Sequence, residues 1–434
     1  MSSSDVCGGA VVKKYMLFVI SVALVLSSSM RGQEIKATLE SESDRAHLDE
    51  LRREGFNKLY NLEYEEARKH FREMARLFPA HPAGAQFLAT SLWLQTLGDS
   101  RRLQTSLYNS DAFYEETDDK VDPRVVNQFR EWTRQAKTLA DVRLRQNPKD
   151  AEALYFSGAI DGLKAAFAGS VERSFIPALR AGARAVDRHR EVVKVDSAYA
   201  DAELTIGLYD YIVGDLPLPV KLLASVGGVR GSKRRGLQTL ERVAKEGRWA
   251  GDDARTILIA LYKREGRWTD ALNVSSELSA KYERNYIFKL EAADALTSLA
   301  ASERKANNRE AATKHEAEAF TIFERLLGRE RAGRESASRT SARPAFDLIH
   351  FRYGEVLLAA NQFARAAKEF KAAANVSGAE AGLATMAHLR RAQTLDLAGD
   401  RGEAIAAYKT VLTRPNIYDA HKQAARRLQE PFRR

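Results

Sequence analysis

A glycine, an alanine twelve residues later and an aromatic four residues after that occur as Gly55, Ala67 and Phe71, and again far along the chain as Gly354, Ala366 and Phe370. A third copy, Ala392, Ala404 and Tyr408, places alanine in the glycine position. Small residues held at fixed spacing from a large ring are what two antiparallel helices need where they cross, because a longer side chain there would push the axes apart. One such hairpin buries only part of its apolar surface and has to stack on another. Copies near both ends therefore predict a chain of stacked helical hairpins.

The motif resembles the tetratricopeptide repeat, which has a period of about 34 residues, a small residue midway along its first helix, an alanine early in the second and a proline after it. Pro79 supplies that proline in the first copy. Leu258, Tyr262, Gly266, Trp268 and Ala271 fall at the family's offsets, and Gly158 and Gly207 occupy the small position of two weaker copies. The resemblance implies an all-α, right-handed α-solenoid of about eight hairpins over residues 45–430. A C-terminal capping helix near Tyr418 to Leu428 would close it. Helix formers abound and no sustained period-two run predicts a strand. Three stretches exceed a hairpin turn, near 100–123, 214–231 and 329–343. The return helix of the second hairpin is expected only from about Val125, the sixth hairpin as Tyr286 to Lys305 and Arg309 to Leu327, and the Arg/Ser-rich run from Arg329 as a solvated loop.

Ahead of the repeats, Lys13 and Lys14 precede the apolar run Tyr15 to Leu26 and then Ser27, Ser28 and Ser29. That order reads as a secretory signal over residues 1–32, cleaved after Ser29 or just before Gln33, with a polar linker over 33–44. The run is twelve residues long, against roughly 20 for a helix that crosses a bilayer. No stable transmembrane segment is expected after processing. The expected location is the periplasm or cell envelope, with secretion the alternative. The single cysteine, Cys7, stands before the apolar run rather than after it, which argues against lipidation at that residue. Its removal with the signal would exclude disulfides and thiolate chemistry from the mature chain.

The formal charge is +10. In an exported chain this favours acidic proteins, acidic glycans or anionic headgroups over nucleic acid, which is not expected as a partner. Aligned on the family pattern, the first helices offer Arg52, Phe56, Tyr155, Leu204, Leu208, Tyr211, Phe351 and Glu355 as groove residues for a protein or peptide, since arginine and aromatic side chains are the usual anchors. The lysine and asparagine set with which the family clamps acidic carboxy-terminal peptides is missing. Two prolines and several leucines between Gly214 and Gly231 read either as a plug over the groove or as a partner contact. Directly after them, Arg230, Lys233, Arg234 and Arg235 crowd a helix start at Ser232, where cations oppose the helix dipole and an anion would be welcome.

Catalytic patterns are missing from the sequence. His315-Glu316 opens like a zinc-protease motif, yet Ala319 stands where the second histidine should be. No Gly-x-Ser-x-Gly elbow is present. No cofactor, metal or enzymatic activity is expected. The function expected is that of an exported scaffold or adaptor binding a protein or peptide in a preformed groove, the alternative being a carrier or sensor of an anionic small molecule or glycan at the 230–235 cluster.

Overall fold

The computed structural model describes residues 41–105, 120–215, 231–335 and 344–433. Among them are seventeen α-helices, one short 3-10 turn at Ala200–Ala202 and no strand. In chain order the helices are α1 (Glu42–Tyr60), α2 (Tyr64–Leu77), α3 (Ala83–Asp99), α4 (Pro123–Gln146), α5 (Ala151–Ser170), α6 (Phe175–Val195), α7 (Glu203–Asp215), α8 (Lys233–Glu246), α9 (Gly251–Arg264) and α10 (Trp268–Lys281). They continue as α11 (Tyr286–Lys305), α12 (Arg309–Glu335), α13 (Phe346–Ala359), α14 (Phe363–Asn375), α15 (Ala381–Leu397), α16 (Arg401–Leu412) and α17 (Ala420–Gln429). Successive helices pair into tetratricopeptide-like hairpins, and α17 packs on α16 as the closing element. The fold is an all-α helical repeat.

The crossing motif has the expected cause. A Cβ on Gly354 would lie 2.7 Å from Cε1 of Phe370, and one on Gly55 would collide with the Phe71 ring. At Gly158 the ring is that of His189. In the third copy Ala392 and Tyr408 are both fully buried, so the α15–α16 crossing tolerates a methyl group. Helix starts follow local capping. Ser41 Oγ accepts from the Asp44 N–H at 3.0 Å, so α1 begins at Glu42, inside the stretch expected as linker. Pro123 opens α4, where its missing N–H costs nothing. The α12 helix also outruns expectation, continuing to Glu335 rather than ending at Leu327. Arginine, glutamate and alanine dominate residues 329–335 and sustain helix in the absence of proline.

The chain forms two compact units. Among the described residues, one comprises 41–56, 65–93, 123–215 and 231–255, the other 57–64, 94–105, 120–122, 256–335 and 344–433. Each contains contacts that a nearest-neighbour stack would lack. In the first unit, Trp249 lies 5.9 Å from the Phe87 ring and 5.6 Å from Phe156, with the Arg52 guanidinium 4.7 Å above it. In the second, Tyr60 stacks on Tyr282 at 4.9 Å and Asn285 Nδ2 donates to the Tyr60 carbonyl at 2.7 Å. The core of that unit centres on Leu290, Phe323, Tyr353 and Phe370, with Phe323 and Tyr353 stacked at 4.9 Å.

Candidate partner-binding surface

Most residues expected to line a groove are instead packing residues. Tyr155 is buried between His189, Phe156 and Tyr199, and Tyr211 is 1% exposed. Phe56 meets Phe71 and Phe87 edge-on at 5.5 and 4.8 Å, and Phe351 meets Phe370 at 5.6 Å. Arg52 is held over Trp249. Glu355 accepts from Nε and Nη2 of Arg390, the latter to Oε2 at 2.7 Å. Leu204 and Leu208 are half-buried on α7. The physical reason lies in the crossing: small residues let the helices approach so closely that positions one turn away become inter-helix filling.

The basic cluster at the start of α8 is also largely neutralised. Ser232 caps the helix as expected, its hydroxyl accepting from the Arg235 N–H at 3.4 Å. Arg235 grips Asp210 with two nitrogens, Nη2 to Oδ1 at 2.9 Å, and Lys233 pairs with Asp215 at 2.9 Å. Arg234 points to solvent. Arg230 and the leucines and prolines of 216–230 lie outside the described residues. Lys233 and Arg235 are therefore tied to carboxylates of α7 and fasten the fourth hairpin, a role the sequence motif concealed because Asp210 and Asp215 lie on the preceding helix.

The second unit holds a buried ion network. Lys263 of α9, 6% exposed, donates to Glu291 and to Asp294 on α11, the latter at 2.6 Å. Asp294 also accepts from Arg352 of α13 at 2.8 Å, while Glu291 accepts from the Thr105 N–H and hydroxyl, each at 2.8 Å. Burial opposes charge on Lys263, but Glu291 and Asp294 outweigh it and hold the ammonium above the ordinary lysine range. Burial likewise opposes the Asp294 carboxylate, and Lys263 and Arg352 outweigh it and hold its pKa down. Asp347 fixes the preceding turn, accepting from Arg101 Nε at 3.0 Å and from the Glu380 N–H at 2.9 Å. This network is saturated and holds helices together rather than offering charge to a ligand.

A different arrangement sits in the first unit, between α4, α5 and α6. A hollow of about 490 Å³ is lined by Lys137, Lys164, Arg184 and Arg188 together with Asp161, Asp187 and Glu191. The carboxylates are engaged: Asp161 with Arg184 at 3.4 Å, Asp187 with Arg190 at 3.7 Å, and Glu191 with Arg188 at 2.8 Å. Lys137 pairs with Asp141 at 2.7 Å and donates to Ser157 Oγ at 2.8 Å. Lys164 has no ion pair or hydrogen bond among the described residues. Burial pushes its ammonium below the ordinary lysine range, and Lys137 and Arg184 add to that while Asp161 works against it. Lys164 and Arg184 also line a second hollow of about 210 Å³ together with Phe129, Phe167, Ala168, Pro177 and Ala181 and with Arg130, Thr133 and Glu172. There Phe129 and Phe167 stack at 3.8 Å. Sequence reading passed over Lys164. The available signal was that Asp161 and Lys164 are the only charged residues after Glu152 in the otherwise apolar α5.

No protein-family model matches the chain, and no curated protein matches it. Among solved structures, the human IFIT1 dimer with m7Gppp-AAAA is 13% identical, covers 91% of this chain and 88% of its own, and superposes with a TM-score of 0.44. The yeast Tom70 structure is 12% identical, with 89% and 96% covered and a TM-score of 0.35. A tetratricopeptide repeat protein from Parabacteroides merdae is 14% identical, with 79% and 99% covered and a TM-score of 0.31. Likeness of this degree carries nothing about ligands.

No helix among the described residues is long and apolar enough to cross a membrane. No group of three His, Cys, Asp or Glu side chains among them could hold a metal ion.

Proposed function

We propose that this chain is an exported, non-enzymatic scaffold or adaptor that binds an acidic protein or peptide partner. The observation that carries the reading is the hollow between α4, α5 and α6, where half-buried Lys164 feels Asp161 but stands among cations already paired with carboxylates. A desolvated cation that Asp161 only partly compensates is unfavourable in the free protein, and a carboxylate brought by a partner relieves it. Stacked hairpins suit the task because a preformed surface loses little ordering entropy on binding. Export rests on the order of Lys13, Lys14, the apolar run and the serines, and the basic balance fits an acidic partner outside the cytoplasm.

The test is to tag the full chain at its C-terminus, sequence the N-terminus of the protein recovered from its own cells, and cross-link it in place. A mature start between Met30 and Gln33, with a cross-linked protein whose yield falls as salt is raised, supports the proposal. A chain that keeps Met1 and stays in the cytoplasm overturns export. Turnover of a substrate that vanishes on one substitution overturns the scaffold reading.

A further inference from the structure

The first residues of α6 are unusual for an exposed surface. Phe175, Ile176 and Leu179 are 39%, 37% and 40% exposed, and Pro177 between them is exposed as well. Pro177 also lines the smaller hollow, as do the stacked Phe129 and Phe167. The exposed apolar turn therefore continues into a hollow whose lining is half apolar, from Phe129, Phe167, Ala168, Pro177 and Ala181. That hollow meets the basic one at a shared wall, because Lys164 and Arg184 line both. Arg184 keeps 57% of its side chain exposed despite its contact with Asp161. Apolar and cationic recognition elements thus lie side by side over α4, α5 and α6.

We infer that this double hollow is the docking site for a partner segment carrying a carboxylate beside a large apolar side chain, the carboxylate meeting Lys164 and Arg184 and the apolar group entering against Phe129 and Phe167 beside Pro177. The inference rests on the proposed scaffold function and adds to it the chemistry of the recognised segment. Two features select a peptide over other occupants. A small inorganic anion would leave the apolar lining of the smaller hollow and the Phe175, Ile176 and Leu179 turn unused, and an exposed apolar patch of that kind marks an interaction surface. A bilayer presents a broad, flat face that does not enter hollows, whereas side chains do. Large apolar or aromatic anchors and arginine are the usual central residues of a protein interface.

The test uses a phage-displayed library of random dodecapeptides selected on the full chain, with enriched peptides synthesised and measured by fluorescence anisotropy. The expected outcome is enrichment of Asp or Glu next to Leu, Ile, Phe or Trp. Affinity should fall about tenfold or more in Lys164→Glu and in Arg184→Glu. Phe175→Ser combined with Leu179→Ser should weaken binding by a similar factor, and because both side chains are exposed this variant is expected to keep the parent helicity, which circular dichroism checks. Peptides that bind equally well to all these variants would overturn the site while leaving the scaffold reading standing. Enriched peptides without acidic residues would overturn the assigned chemistry. No enriched peptide at all, with phosphatidylglycerol vesicles or inorganic phosphate bound by the parent and released by Lys164→Glu, would overturn both this inference and the scaffold reading.

Discussion

At the scale of single residues, two lysines show how the same side chain serves opposite ends. Lys263 is buried and satisfied, so replacing it by methionine strands Glu291 and Asp294. Lys263→Met should lower unfolding free energy by about 3–5 kcal/mol, read from guanidinium midpoints. Lys164 has no such partner, and Lys164→Met should stay within about 0.5 kcal/mol of the parent while weakening partner binding. A large loss of stability in Lys164→Met would mean that the side chain is structural. His189 makes a pH prediction. Its Nε2 lies 3.1 Å from the Tyr155 carbonyl and its Nδ1 has no partner, so the ring is neutral with the proton on Nε2. Burial pushes its pKa down from 6.5 to about 4, against the hydrogen bond that Nε2 donates to the Tyr155 carbonyl. The unfolded chain therefore takes up this proton first as pH falls. Stability is complete above pH 6.5 and declines toward pH 4, by about 3 kcal/mol from this residue. Thermal melts between pH 7.5 and 4.5 should show that decline in the parent and a shallower one in His189→Gln. Equal slopes would remove His189 from the account.

At the scale of the element, the crossing glycines make the sharpest statement. Gly354→Ala places a methyl group 2.7 Å from the Phe370 ring and should cost about 1–3 kcal/mol through overpacking. Ala392→Gly has the opposite error, removing buried surface and loosening the helix, and should cost about 1 kcal/mol. Differential scanning calorimetry on the two variants distinguishes them from a null result, which would imply that the helices shift freely. These elements were legible in the sequence because a helix crossing is local: the glycine, the alanine and the ring lie within seventeen residues of one another. What closes each unit was not legible. Trp249 packs on Phe87, and Thr105 bonds to Glu291, across more than 150 residues of chain with no repeat spacing to announce them. The same limit explains the groove. Repeat alignment identified the faces of the first helices, but whether Tyr155 or Tyr211 faces solvent depends on how closely the next helix approaches. Lys164 escaped notice because its significance is the absence of a partner, which only the packing of α4 and α6 around it defines.

At the scale of the molecule, the hollow between α4, α5 and α6 sets four cations against three carboxylates, a deficit of one negative charge among its lining residues. Binding at that deficit should be steered electrostatically, so association should slow steeply as ionic strength rises while dissociation changes little. Stopped-flow mixing with a selected acidic peptide at several salt concentrations checks this, and a salt effect confined to dissociation would argue against steering. The most direct test of the central claim is site-specific photo-cross-linking in the cells that make the protein, with a benzophenone amino acid in place of Leu179 and, as control, in place of Leu412, another exposed apolar residue. The account predicts a protein adduct at position 179 but not at 412, with the cross-linked peptide bearing aspartate or glutamate beside an apolar residue and the adduct lost on Lys164→Glu. Identical adducts at both positions, or a lipid adduct at 179 in place of a protein, would contradict it.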